Sequence, residues 1–252
     1  MTIKKLTKKY GAVILLDALG ASSYSDREIN NFLSLRKKLN SNIKETAKQF
    51  RGNSEFSQPI IYTFGDTTII VIELNDRKVI TNHIIGIAIL MRRYLYQSFD
   101  VGIMFRGSFS IGNYIEDAES NTVMGEAVTD AASWYEQSNW MGLTSTPKTN
   151  NILDFYFLEN EDRLDDKGLI HKYDVPLKNG YTFKLYSISW PGAFHEPGIL
   201  KNHNRNNAKE WFLEKLAGLE IPKGTEEKYE NTKLYFSYIE NQLVKKIRHD
   251  HS

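Results

Sequence analysis

The chain lacks cysteine altogether, which excludes disulfide bridges, thiolate nucleophiles and cysteine-ligated zinc or iron–sulfur centres, and fits a reducing compartment. It also lacks net charge of either sign. With 32 Lys and Arg against 31 Asp and Glu, no overall field calls for nucleic acid or an anionic membrane. Long hydrophobic runs are missing too: the longest, "IIGIAILM", is far below the roughly 20 residues that a membrane span needs. The N-terminus "MTIKKLTKKYG" is basic, but it leads into a short strand-like run, not an export signal. The expectation is a cytoplasmic protein with no membrane and no nucleic-acid partner, its many aromatic residues having no basic stripe or RNP-type motif beside them.

Several catalytic signatures are absent as well. There is no Walker A loop and no G-x-G-x-x-G, and "GSFSIG" is not a nucleophile elbow, because Ser110 falls three residues after Gly107. In "HEPGILKNH", Pro197 and Gly198 break the helix that would set His195 and His203 on one zinc ion.

What is present is an apolar content of 41%, enough for a sizeable core in a chain of 252 residues. "GAVILLDA" (11–18) reads as a central strand buried on both faces and ending in an acid. Ser25 and Glu28 form a capping-box pattern that opens a helix through about Phe50, with Ile29, Phe32, Leu39, Ile43 and Phe50 near one face. "PIIYTF" and "TTIIVIEL" flank Gly65-Asp66 and read as a hairpin, the Gly supplying the positive φ of the turn. A nearly all-round apolar helix from Val79 to about Phe99, a strand in "VGIMFRGSFSIGNYI" and a helix in "GEAVTDAASWYEQS" follow.

The order βαββαβ predicts an α+β, ferredoxin-like sheet. Beyond Trp140, "TSTPKTNN" reads as a surface loop, and "ILDFYFL", "GLIHKYDV" and "YTFKLYSISW" read as strands extending the same sheet. Helical segments at about 207–218 and 225–247 form a C-terminal helical appendage, giving a division into residues 8–192 and 193–252.

In such a sheet Asp17, at the end of the first strand, and Asp66, at the hairpin turn, are neighbours at one edge. Two carboxylates that close repel unless a divalent cation lies between them, when both become ligands of a hard metal. This is the minimal ligand set for two-metal phosphoryl chemistry. The small residues of "ALGASSYSD", including Leu19, Gly20, Ala21 and Ser22, lead into the helix start, where backbone N–H groups can cradle a polyphosphate. Either acid alone is more often a cap or turn residue; the pair in this order is what points to chemistry.

"VILLDALGAS", "YTFGDTTIIV", "MFRGSFSIG" and "TVMGEAVTDAASWYE" together resemble, in order and spacing over roughly residues 8 to 140, the class III nucleotidyl cyclases. The resemblance implies that Asp17, Asp66 and the backbone carbonyl of Ala18 hold two Mg²⁺ or Mn²⁺ ions. It also matches Arg106 to a family arginine and Gly125 to the glycine that opens the next helix, and it implies a head-to-tail homodimer with active sites at the interface.

Two base-reading positions depart from the purine cyclases of the family: Tyr62 stands where they have Lys, and Thr122 where they have an acidic or small residue. A Tyr shortens the pocket and can read a smaller pyrimidine base at its edge, although a tyrosine packed in a strand fits the same position. With "FRGSFSIG" and "GEAV", the chain is similar to the pyrimidine cyclases of bacterial Pycsar anti-phage systems. That implies conversion of UTP to cyclic UMP, or of CTP to cyclic CMP, a second messenger read by a cyclic-nucleotide-binding effector. A third departure concerns rate. The family's transition-state Asn and Arg fall on Thr129 and Ser133, and Ser cannot replace a cation, a loss typically worth about 100- to 1,000-fold. Arg106 or Lys184 is the candidate substitute, Lys184 also being the candidate triphosphate contact; the alternative is an inactive cyclase-fold module that binds nucleotide or dimerises.

Overall fold

The computed structural model describes residues 7–21, 24–49, 57–74, 80–117, 119–157 and 168–249, with the backbone alone at 80–81 and 245–249. Strand β1 (Lys8–Ala18), helix α1 (Asp26–Gln49), strands β2 (Ile60–Phe64) and β3 (Thr67–Glu73), helix α2 (Ile80–Asp100) and strand β4 (Phe105–Asp117) follow one another in the βαββαβ order. In space the four strands run β2-β3-β1-β4, each pair antiparallel. The predicted helix limits at Phe50 and Val79 lie outside the described residues.

Alternation along β1 explains its unbroken apolar sequence. Ala12, Ile14 and Leu16 join the core under α1 and α2, while Val13 and Leu15 point to the other face. There they meet Tyr62, Val71, Tyr114 and two alanines of α3 (Glu126–Trp134), so the strand is covered on both sides. Helix α1 begins as a capping box: the Ser25 N–H and hydroxyl both donate to the Glu28 carboxylate, at 2.7 and 2.5 Å.

Strand β5 (Thr122–Met124) folds back on the far end of β4, and β6 (Gly142–Ser145) pairs parallel to the near end. Strands β8 (Thr182–Ile188) and β7 (Ile170–Pro176) extend the sheet beyond β6, as expected for these two segments. The architecture is α+β with a mostly antiparallel sheet.

Residues 144–157 correct the expectation of a loop followed by a strand, Leu158 lying outside the described residues. Ser145 ends β6, and helix α4 (Pro147–Phe157) replaces the expected strand at "ILDFYFL". The Thr146 hydroxyl accepts from the Thr149 N–H at 3.2 Å and Pro147 occupies the first helical position, so the helix is capped in its own sequence. Thr149, Asn150, Leu153 and Phe157 then recur at helical spacing and are buried.

The C-terminal segment comprises a 3₁₀ turn (Trp190–His195), α5 (Pro197–Asn202), α6 (Ala208–Ala217) and α7 (Glu226–His249). Its aromatic side chains enter the main core. Phe212 stacks between Phe99 of α2, at 5.4 Å between ring centroids, and Phe236 of α7, at 4.1 Å, while Phe194 meets Trp211 at 4.9 Å. Among the described residues no helix is long and apolar enough to cross a membrane.

Candidate active site

Asp17 occupies the last turn of the pleat in β1, paired in register with Thr67 on one side and Arg106 on the other. Asp66 therefore stands beside it, at the tight turn between β2 and β3, where Gly65 has φ 57°. The turn is fixed from outside the sheet: the Arg36 guanidinium of α1, buried and stacked 4.9 Å over the Phe32 ring, donates to the Gly65 carbonyl at 2.6 Å. Arg36 was not singled out in the sequence, where it reads as one of several helix cations.

Arg106 grips Asp17 with two donors, Nε at 3.0 Å and Nη2 at 2.8 Å, both on Oδ2. Among the described residues Oδ1 accepts no hydrogen bond. Burial pushes the Asp17 carboxyl above its ordinary range; the Arg106 pairing opposes that shift, and the negative charges of Asp66 and Glu136 add to it.

These residues line a cleft of about 920 Å³ at the end of the sheet. One wall is the β1–α1 connection, including Ala18, Gly20 and Ala21; the end of α3 contributes Tyr135 and Glu136. The remaining wall is the segment from Leu219 to Tyr229, which brings Lys223 and Lys228 into the same space. Gly20, at φ 80°, passes so close to this segment that a Cβ there would lie 2.6 Å from Pro222 Cγ. Of the expected phosphate cradle, the Leu19 N–H is already spent on the Met104 carbonyl at 2.8 Å, Gly20 and Ala21 line the cleft, and Ser22 lies outside the described residues.

The other candidates gather elsewhere. Tyr62 is buried in the second-face cluster, its hydroxyl donating to Glu116 at 3.2 Å, and Thr122 pairs across from Asp117. The Tyr62 hydroxyl and Thr122 thus meet neighbouring residues at the far end of β4, and neither residue lines the cleft. Thr129 and Ser133 lie exposed on α3, the Ser133 hydroxyl turned back onto the Asp130 carbonyl at 2.7 Å. Lys184 is not brought to the cleft at all: it is exposed on β8, with β6 and β4 between that strand and β1. Lys223 and Lys228 take its place as cleft cations, and they were missed because nothing in their local sequence ties the C-terminal helices to the first strand.

The donor set at Asp17 and Asp66 suits a hard divalent cation. It offers oxygen atoms only, two carboxylates and the Ala18 carbonyl, with Asp17 Oδ1 unengaged, and Mg²⁺ or Mn²⁺ sites of this kind complete their shells with water and substrate phosphates. Among the described residues no group of three or more His, Cys, Asp and Glu forms a metal cluster by itself. A scan against protein-family models finds no match to this chain, and a search of curated proteins finds none either.

Proposed function

We propose that the chain is a nucleotidyl cyclase of the class III type, with a ferredoxin-like catalytic sheet, converting UTP to 3′,5′-cyclic UMP and pyrophosphate; CTP is the alternative substrate. The observation that carries this reading is the convergence of Asp17 and Asp66 on one wall of a nucleotide-sized cleft that also holds cations. Two bound divalent ions would lower the pKa of the ribose 3′-hydroxyl and neutralise the triphosphate. Asp17, Asp66 and the Ala18 carbonyl would hold them. Arg106 keeps the Asp17 carboxylate oriented, and Arg36 keeps the Asp66 turn in place.

In the reaction the ribose 3′-oxygen bonds to the α-phosphorus in line while the bond from that phosphorus to the bridging oxygen breaks. Pyrophosphate leaves with the electron pair, and the hydroxyl proton passes to solvent. The protein's part is positioning and charge compensation.

A homodimer belongs to this reading. Tyr62, Thr122, Thr129 and Ser133 are not among the residues lining the cleft of Asp17 and Asp66, and the reading draws them from a second copy. The product would act through a cyclic-nucleotide-binding effector in antiviral defence. A second reading, a non-catalytic nucleotide-binding or dimerising module, is favoured by one observation: α3 carries no Lys or Arg, and its Ser133 hydroxyl is turned inward. Incubation with Mn²⁺ and each of the four ribonucleoside triphosphates, followed by mass spectrometry, separates the two. Cyclic UMP or cyclic CMP supports the enzyme, and bound but unreacted nucleotide supports the module.

A further inference from the structure

We infer that the basic face of α1 is an anion site outside the cleft, and that it takes a small phosphate-bearing molecule held by Arg36, Lys37, Asn40 and Lys44. A pocket of about 300 Å³ opens between this face and β2, lined by Arg36, Lys37, Asn40, Ser41 and Lys44 of the helix and by Thr63 of the strand. Among the described residues no carboxylate lines it. It shares no lining residue with the cleft of Asp17 and Asp66, so the inference does not depend on how that cleft is read.

Between Leu33 and Lys44 the helix carries Arg36, Lys37, Lys38 and Lys44 and no acid, so the partners three or four residues away that ordinarily offset a helix cation are missing. The ammonium groups of Lys37 and Lys44 make no ion pair or hydrogen bond among the described residues, and Glu45, next to Lys44, is taken by Lys48 at 2.6 Å. Arg36 is 7% exposed; its Nη1 donates to the Gly65 carbonyl, and among the described residues its Nε and Nη2 find no hydrogen-bond partner. The carboxylate whose charge reaches Arg36 is Asp66, next to Gly65 in the turn. A merely solvated helix face accounts for Lys37 and Lys44. It does not account for a buried guanidinium with unused donors bordering the same pocket.

These donors suit a phosphate. Arg36 supplies a planar fork, and Lys37 and Lys44 supply point charges. Asn40 adds an amide: its Oδ1 accepts from the Tyr94 hydroxyl at 3.1 Å, which leaves Nδ2 to donate. Lys37 and Lys44 stand two helical turns apart, about 10 Å along the axis, a span that suits a diphosphate or a phosphomonoester with a small organic body. The volume is at the small end of ligand pockets, which favours a compact anion over a polymer. A phosphate bound here would share Arg36 with the Gly65-Asp66 turn, so occupancy of the pocket and the position of Asp66 are coupled through one side chain.

The test titrates the full chain calorimetrically with inorganic pyrophosphate, in metal-free buffer at fixed ionic strength. Saturable binding is expected, weakened about tenfold or more in the Lys37→Gln/Lys44→Gln double variant, as the loss of two charge-assisted contacts implies. Lys37→Arg/Lys44→Arg should retain most of the affinity. Lys38→Gln, which removes an α1 charge that does not border the pocket, should bind like the parent. Pyrophosphate should raise the melting temperature of the parent more than that of the Lys37→Gln/Lys44→Gln variant. The inference is overturned if the parent shows no saturable binding, or if the double variant binds within about twofold of it. It is also overturned if Lys38→Gln weakens binding as much as Lys44→Gln does, which would reduce the effect to general charge attraction. Binding of a nucleic-acid strand or of anionic vesicles without binding of pyrophosphate overturns it as well, and assigns the face to a polymer or a membrane surface.

Discussion

The Arg106 guanidinium donates twice to a single oxygen of Asp17, at 3.0 and 2.8 Å, and both residues line the cleft. This pair joins the end of β1 to β4. It makes the candidate metal ligand a structural residue as well.

Replacing one member alone should therefore cost stability. In Asp17→Asn the buried Arg106 keeps at most a neutral acceptor, and in Arg106→Gln the carboxylate loses its cation. Each is expected to lose about 1–3 kcal/mol, below the full cost of breaking a deeply buried pair, because both side chains border the cleft. The double variant should lose less than the sum of the two, and urea unfolding of all four proteins measures the coupling. Asp17→Asn and Asp66→Asn should each abolish product; near-normal turnover in either variant ends the two-metal proposal.

Arg36 is predicted to position Asp66 without touching substrate. Arg36→Met keeps the packing on Phe32 and removes the donor to the Gly65 carbonyl, so kcat should fall about tenfold or more while stability changes by about 1–2 kcal/mol. Lys substituted at 36 should restore part of the rate. Turnover that tracks stability alone across both variants would reduce Arg36 to a structural residue.

Tyr62→Phe removes the hydroxyl that donates to Glu116 and keeps the ring in its cluster. The ratio of kcat/KM for UTP to that for ATP should fall if Tyr62 reads the base of the nucleotide, and an unchanged ratio assigns it to packing. Burial pushes the Tyr62 hydroxyl up to about 12, with the Glu116 charge and hydrogen bond adding to the shift. The unfolded chain then ionises first, so this residue's contribution to stability is complete below about pH 10 and is lost as pH rises toward 12. Denaturation profiles of parent and Tyr62→Phe should diverge across that window.

His195 sets a second pH dependence at the acid side. Burial, with the Arg92 charge adding to it, holds its imidazole below the ordinary value of 6.5. The unfolded chain gains the proton first as pH falls, so stability should decline below about pH 6.5, and His195→Gln should flatten that decline. Melting temperatures between pH 5 and 8 check it; equal slopes in the two proteins would contradict it.

The sheet up to β4 was legible because its signals are local: an unbroken apolar run for β1, a capping box at Ser25 and a Gly-Asp turn between two strands. Asp17 and Asp66 were legible for the same reason, since two-residue register carries one to the other. The strand expected at "ILDFYFL" failed because short apolar runs serve either period, and the decisive signal was Thr146-Pro147 just before it. The cleft's second wall was not legible at all. Lys223 and Lys228 line the same cleft as Asp17 because α6 and α7 pack by their aromatic residues on α2, a contact over a hundred residues long in sequence that no spacing encodes.

The most direct test of the account is product formation by the parent chain from each of the four ribonucleoside triphosphates with Mn²⁺, read by mass spectrometry beside Asp66→Asn. The account predicts cyclic UMP, or cyclic CMP as the second choice, with stoichiometric pyrophosphate from the parent and none from the variant. No cyclic product from any of the four nucleotides, with nucleotide binding intact, would contradict it.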